Sequence, residues 1–171
     1  ENPSLPCTDW YVRDYLLSNA MGNGPGLLAQ MCERVGFELR PDFDMDEFRE
    51  RLGAAFAPEF EFLARMPQLI ETEHYVFVHG GIPTGSPRSW DGWHLMKNDN
   101  FLNQGRKFKK WVIVGHWPVM LYRESITDAK PLIDRESRII SIDGGCVLKD
   151  DGQLNALIIP RDGSEDFEYT W

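Results

Sequence analysis

The sequence predicts an α/β fold in which helices come first and the strands of a mixed sheet follow. Over residues 1–67 the apolar side chains recur at helical spacing between glycine-rich and proline breaks. From residue 68 onward they form short, β-branched runs, which is the pattern of strands covered on both faces. We therefore expect a single or partial domain over residues 1–171, helical over 1–67 and mainly strands and loops over 68–171.

Capping residues and breaks delimit three expected helices in the first part. Glycine is favoured just past a helix end because it adopts a positive φ without strain, so Gly36 is expected to end the second helix. The third is expected to run unbroken through Phe56 to Leu63, before Pro67. The three helices are expected to begin at Thr8, at Leu27, and at Asp44 or Asp46.

Four apolar runs are expected strands: residues 75–78, 111–114, 139–142 and 154–159. Residues 80–92, rich in Gly, Pro and Ser, form a long loop directly after the first of them. Long loops in compact domains are frequently functional, which directs attention to this end of the strand.

Composition narrows the function classes. The chain has 171 residues and a formal net charge of −9, which disfavours nucleic acid or an anionic membrane as partner because both require a positive field. The basic segment 106–110 is expected to be a solvated loop before a strand. Cys7, Cys32 and Cys146 are odd in number and widely spaced, so we expect neither a disulfide framework nor a cysteine zinc site, and a reducing cytoplasm.

Histidines follow two of the expected strands in matching positions. His79 ends the segment Val-Phe-Val-His-Gly-Gly, and His116 follows Val-Ile-Val-Gly and precedes Trp-Pro. Ligands of open α/β sheets gather outside the carboxyl ends of the strands, and imidazole is the commonest ligand of transition metals. The pair therefore predicts a metal site. The alternative is that each histidine is a half-buried turn residue with its hydrogen bonds satisfied.

An aspartate follows the third expected strand. Asp143 is a candidate to accept a hydrogen bond from a ligand histidine, or else a turn residue without catalytic duty. His74 and His94 lack the strand-end context and are expected to be structural. Cys146 lies nearby, but no phosphate-binding Cys-x5-Arg loop follows it, which argues against a cysteine nucleophile.

The three strand ends, taken in order, resemble a known family. Residues 78–83 read Val-His-Gly-Gly-Ile-Pro, residues 115–119 read Gly-His-Trp-Pro-Val, and residues 142–147 read Ile-Asp-Gly-Gly-Cys-Val. They resemble the motifs of calcineurin-like metallophosphoesterases, especially the phosphoprotein phosphatase and bacterial diadenosine tetraphosphatase branch. Residues 151–157 resemble that family's terminal hairpin, and the likeness extends from Phe60 to Ile159.

The resemblance implies part of an α-β-β-α sandwich in which His79 and His116 are ligands of one of two divalent ions, Mn, Fe or Zn. The family's earlier motifs, Gly-Asp-x-His-Gly, Gly-Asp-x-x-Asp-Arg-Gly and Gly-Asn-His-Glu, do not occur in the chain. They supply the other metal site and the histidine acid, so no catalytic acid is expected in this chain. We expect them upstream, with Glu1 as a candidate for the last residue of Gly-Asn-His-Glu.

The family's phosphate-binding arginine is also absent. Bacterial members carry Trp-Ile-Arg before a phenylalanine, whereas residues 95–101 read Leu-Met-Lys-Asn-Asp-Asn-Phe. Lys97, Asn98 and Arg123 are the candidates for this role. Trp117 replaces the family's threonine and is expected to narrow the substrate pocket.

The resemblance implies metal-dependent hydrolysis of a phosphoprotein, a phosphomonoester or a dinucleoside polyphosphate. This chain would supply part of the site, would be nearly inactive alone, and would pair with the N-terminal half of the same protein. One alternative is a non-catalytic interaction or scaffold module that retains the sheet. Another is a mononuclear zinc hydrolase whose third ligand is Asp143 or His94.

Overall fold

The computed structural model describes residues 26–87, 90, 92–124, 127–146 and 152–170. The chain divides into two compact units, Glu1–Met66 and Pro67–Trp171, a division close to the expected boundary between helices and strands. The helix expected at Thr8 lies outside the described residues. The described part combines helices with a mixed sheet, which confirms the α/β class.

Two helices of the first unit have the ends that the sequence predicts. Helix α1 spans Leu27–Arg34 and is followed by Gly36 at φ +66°, a left-handed conformation that glycine adopts without strain. Helix α2 spans Met45–Ala55, and the carboxylate of Asp44 accepts hydrogen bonds from the N–H groups of Asp46 and Glu47. Asp44 is therefore the N-cap.

The expectation of one unbroken helix to Leu63 is wrong. The chain leaves α2 at Phe56, where φ is −120° and ψ is 28°, and starts helix α3 at Ala57–Ala64. Pro58 explains the break, because proline has no N–H to donate inside a helix and its ring clashes with the carbonyl four residues earlier. In the first turn of a new helix neither penalty applies.

The first unit has its own apolar cluster, made of buried residues from α1, α2 and the loop between them. Its aromatic rings meet at centroid distances of 5.5–5.7 Å. The buried members are Cys32, Phe37, Phe43, Met45, Phe48 and Leu52.

A five-stranded mixed sheet forms the centre of the second unit. The strands are β1 (Leu69–Glu71), β2 (Tyr75–Val78), β3 (Trp111–Val114), β4 (Leu132–Asp134) and β5 (Ile139–Ser141). Their order is β1-β2-β3-β5-β4, in which β2, β3 and β5 run parallel and the two edge strands are antiparallel. Three of the four expected strands are the central three.

Both faces of the central strands are buried. On one face Val76, Val112 and Ile139 pack with residues from helix α4 (Gly92–Met96) and from the 3₁₀ helix Phe101–Gln104. On the other face Tyr75, Trp111 and Ile140 form a second cluster. This double burial explains why the strands read as continuous apolar runs rather than as alternating ones.

The fourth expected strand differs from the prediction. Only Ala156–Ile158 forms a strand, β6, and it pairs with β7 (Glu168–Thr170) in a separate two-stranded sheet. Its outer residues are exposed, while Leu157 packs on the second face of the main sheet. The edge strands β1 and β4 and the strand β7 were not predicted, because three-residue segments carry too little periodicity to identify.

In the part of the chain that the structure describes, no helix has the length and apolar character needed to cross a membrane.

Candidate functional site

Three candidate residues lie at the carboxyl ends of the three parallel strands. His79 follows β2, Gly115 and His116 follow β3, and Asp143 comes two residues after β5. Since β2, β3 and β5 are parallel neighbours, their carboxyl ends lie side by side. The expected convergence of the three motifs is therefore present in the fold.

The two histidines are held together by the backbone. The ladder between β2 and β3 continues one residue beyond the strands, where the N–H of Gly115 donates to the carbonyl of His79 at 2.8 Å. The two imidazole rings lie next to each other, with centroids 5.5 Å apart and planes inclined by 54°. A Cβ on Gly115 would lie 3.7 Å from Nδ1 of His79, which is ordinary van der Waals contact and confirms how closely the two strand ends approach.

His116 has a strained backbone. Its φ is +62°, and the N–H of Trp117 donates to the carbonyl of Gly115 at 2.7 Å, which closes a γ-turn around the histidine. A non-glycine residue in such a conformation costs on the order of 1–3 kcal/mol, and such outliers concentrate at functional sites. His116 is one of the residues that line a cleft at the carboxyl ends of the strands.

Glycines allow a second segment to approach the strand end. The N–H of Gly80 donates to the carbonyl of Leu95 at 2.7 Å, and a Cβ at position 80 would meet the backbone of Met96 at 2.7 Å. Gly81, at φ +145°, leaves room for the Phe101 ring, which a Cβ would approach to 2.5 Å. The two glycines after His79 are therefore required for the packing of this segment.

The approaching segment brings an aspartate to His116. Nε2 of His116 lies 2.7 Å from Oδ1 of Asp99, within hydrogen-bond distance. The His116 side chain is 13% exposed and that of Asp99 is 67% exposed. Sequence reasoning did not identify Asp99, because it belongs to no motif and contacts a histidine 17 residues later in the chain.

The surroundings of His79 favour the neutral imidazole. Partial desolvation lowers the pKa of His79, and the nearby His116 and Lys97 lower it further, while Asp143 opposes the shift. A metal binds the neutral form through a free ring lone pair. The electrostatics of the site therefore suit a ligand histidine.

Asp143 has a structural task in its turn. Its Oδ1 accepts a hydrogen bond from the N–H of Gly145 at 2.8 Å, and its backbone carbonyl accepts one from Val119 at 2.8 Å. These bonds fit the turn-residue alternative, and Asp143 also faces the same cleft as the histidines.

A cleft of about 630 Å³ opens at this edge of the sheet. Its polar lining includes Lys97 together with both histidines, and its apolar lining includes Pro118, Ile142 and Leu154. Sequence reasoning missed Gln153 and Asn155, which also line it. Asn155 donates to the carbonyls of Ala129 and Ile142, contacts for which no sequence motif exists.

Two of the three candidate phosphate-binding residues lie elsewhere. Asn98 lines a separate cavity of about 400 Å³ together with His94, and its Oδ1 accepts from Nε2 of Gln104 at 2.7 Å. The Arg123 guanidinium donates to the carbonyls of Asp128, Lys130 and Pro131. The structure thus brings only Lys97 of the three into the cleft.

Trp117 is not among the residues that line this cleft. Its neighbours Gly115, His116 and Pro118 all line the cleft, whereas the Trp117 side chain is absent from that lining and its indole N–H is buried without a hydrogen-bond partner in the described structure.

The two histidines fit a shared divalent ion in spacing. A ligand nitrogen lies ~2.1 Å from the ion, so two rings that share one ion have centroids roughly 4.5–6 Å apart, which brackets the observed 5.5 Å. Among the described residues no group of three or more His, Cys, Asp or Glu side chains has the geometry of a metal site.

Comparisons with protein-family models, with curated proteins and with solved structures found no match.

Proposed function

We propose that the chain contributes one pair of ligands, His79 and His116, to a metal centre that hydrolyses phosphate esters. The observation that carries the proposal is the adjacency of the two rings, 5.5 Å apart at the carboxyl ends of neighbouring parallel strands. The positive φ of His116 also supports the proposal, because such conformations of non-glycine residues concentrate at functional sites.

The cleft residues have distinct tasks in this proposal. His79 and His116 bind the ion through neutral imidazoles, and the lowered pKa of His79 supports that form near neutral pH. Lys97 attracts the phosphate group of the substrate, since it is a cation among the cleft's lining residues. The apolar side chains of Pro118, Ile142 and Leu154 exclude water from the part of the substrate beyond the phosphate.

Bound divalent ions would supply activated water and charge neutralisation on the phosphate oxygens. The remaining ligands and the acid that protonates the leaving oxygen would come from the motifs expected upstream, within the same α-β-β-α sandwich. The substrate would be a phosphoprotein, a phosphomonoester or a dinucleoside polyphosphate.

The test is hydrolysis of p-nitrophenyl phosphate with Mn²⁺ by a protein that includes both halves of the proposed site. His79→Ala and His116→Ala are each expected to lower kcat/KM by at least about 100-fold and to reduce bound metal. His94→Ala, in the separate cavity, is the matched control and should change neither. Unchanged metal content in both cleft variants would refute the proposal, and loss of metal in His94→Ala would instead favour the mononuclear alternative.

A second expectation concerns the activity of this chain without the rest of the proposed site. The 171-residue chain alone should be nearly inactive, because two imidazoles do not hold two divalent ions. Mn²⁺-dependent turnover by this chain at the rate of a complete enzyme would contradict the assignment. The scaffold alternative instead expects no metal dependence in the longer protein either.

A further inference from the structure

We infer that Asp99 is a positioning residue that fixes the tautomer of His116, so that Nδ1 rather than Nε2 faces the metal. The inference rests on the proposed function and adds to it the ligand atom and the residue that selects that atom. Neither the motifs nor the resemblance points to Asp99.

The contact leaves one ring nitrogen for a ligand bond. Nε2 of His116 lies 2.7 Å from Oδ1 of Asp99, a short distance typical of a hydrogen bond to a carboxylate. An ionised carboxylate accepts and does not donate, so the nitrogen that faces it, Nε2, carries a proton. Nδ1 then keeps its lone pair, and this nitrogen is the one available to a divalent ion.

The aspartate is held in place by its neighbours. Asn100, at φ +57°, precedes the 3₁₀ helix Phe101–Gln104, in which Phe101 is 0% exposed. The backbone N–H and the side-chain amide of Asn103 both donate to Asn100, at 3.1 and 2.8 Å. Nε2 of Gln104 lies 3.5 Å from the Asp99 carbonyl.

The partner ring is equally constrained. The γ-turn fixes the backbone of His116, and only 13% of its side chain is exposed. The contacts of Asn100 and Gln104 hold the backbone at Asp99, so the hydrogen bond has to order only the exposed carboxylate side chain. The pair therefore has the form of a carboxylate–histidine–metal arrangement, in which the outer carboxylate orients the ligand ring.

The experiment is long-range ¹H–¹⁵N NMR on histidine-labelled protein, without metal and during Zn²⁺ titration. We expect the His116 proton on Nε2 in both states, with Zn²⁺ shifting Nδ1. In Asp99→Ala the two tautomers should mix and Zn²⁺ affinity should fall about 10-fold. Asp99→Asn keeps the size of the side chain but can donate as well as accept, so it should not hold the proton on Nε2 and should behave like Asp99→Ala. Asp166→Ala removes an exposed carboxylate outside the cleft lining and should behave as wild type.

Three outcomes would overturn the inference: a proton on Nδ1 of His116 in the wild type, loss of the Nε2 proton on Zn²⁺ binding, or unchanged Zn²⁺ affinity in Asp99→Ala. Each of them leaves the two-histidine site standing if His79 and His116 still respond to Zn²⁺. An absence of response at both rings would instead refute the proposed function and, with it, the role of Asp99.

Discussion

The N–H of Gly115 donates to the backbone carbonyl of His79 at 2.8 Å, so the parallel ladder of β2 and β3 ends at the residues that carry the candidate chemistry. This bond fixes the distance between the two strand ends. The γ-turn that follows sets the direction of the second ring. The sheet therefore sets the spacing of the two histidines, and the turn after β3 sets the orientation of the second ring.

The first prediction concerns the strain at His116. Its φ of +62° penalises any residue with a Cβ, so His116→Gly should be more stable than His116→Ala by about 1 kcal/mol. Both variants remove the ring and the bond to Asp99, so their difference isolates the backbone term. The difference between the free energies of unfolding of the two variants in urea measures this backbone term. Equal stability of the two variants would show that position 116 is not left-handed in solution.

The second prediction is a pH dependence that comes from His79. Its pKa is lowered in the folded protein, chiefly by desolvation, so the unfolded state binds the proton more readily. Neutral His79 therefore contributes fully to the free energy of unfolding above the unfolded pKa of about 6.5. That contribution is lost as the pH falls from the unfolded pKa toward the lower pKa of the folded state. The free energy of unfolding of metal-free protein should thus decrease more steeply below pH 6.5 in wild type than in His79→Gln.

The result would be read from urea unfolding at several pH values between 5 and 8, with a chelator present. Identical slopes for wild type and His79→Gln would contradict the lowered pKa. A steeper slope in the variant would mean that the folded state stabilises the imidazolium instead.

The third prediction assigns Lys97 an electrostatic effect on the site. Its charge lowers the pKa of His79, so Lys97→Met should raise that pKa. Lys109→Met removes the same charge from the exposed loop before β3 and should leave the His79 titration unchanged. NMR titration of the His79 ring gives the comparison. Equal titrations in the Lys97 and Lys109 variants would place Lys97 too far away to bind a phosphate beside the histidines.

The fourth prediction follows from the proposed role of Lys97 in binding the substrate. In the complete enzyme Lys97→Met should raise the KM for p-nitrophenyl phosphate about 3- to 10-fold, the loss of one exposed charge-assisted hydrogen bond. Lys109→Met should leave KM unchanged. A fall in kcat at constant KM would mean that Lys97 acts on the transition state and not on ground-state binding.

The central strands and the paired histidines could be predicted from the sequence because their signal is local. Val76 to Val78 and Val112 to Val114 are β-branched runs that end in glycine-containing turns, and a parallel sheet brings such ends together. The cap at Asp44 and the glycine at position 36 are local signals of the same kind.

The missed features depend on contacts distant in sequence. Asp99 reaches His116 only because Gly80 and Gly81 admit the segment that follows helix α4. From the sequence Arg123 could be a cation that binds phosphate. In the fold its guanidinium instead donates hydrogen bonds to three backbone carbonyls. The break between α2 and α3 is an exception, because Pro58 is itself a local signal for the start of a new helix.

The most direct test of the two-ligand site is a Zn²⁺ titration followed at the rings of all four histidines. We expect His79 and His116 to shift together in a single transition, while His74 and His94, which lie outside the cleft lining, do not shift in that transition. Independent transitions of His79 and His116, or a response confined to His74 and His94, would contradict it.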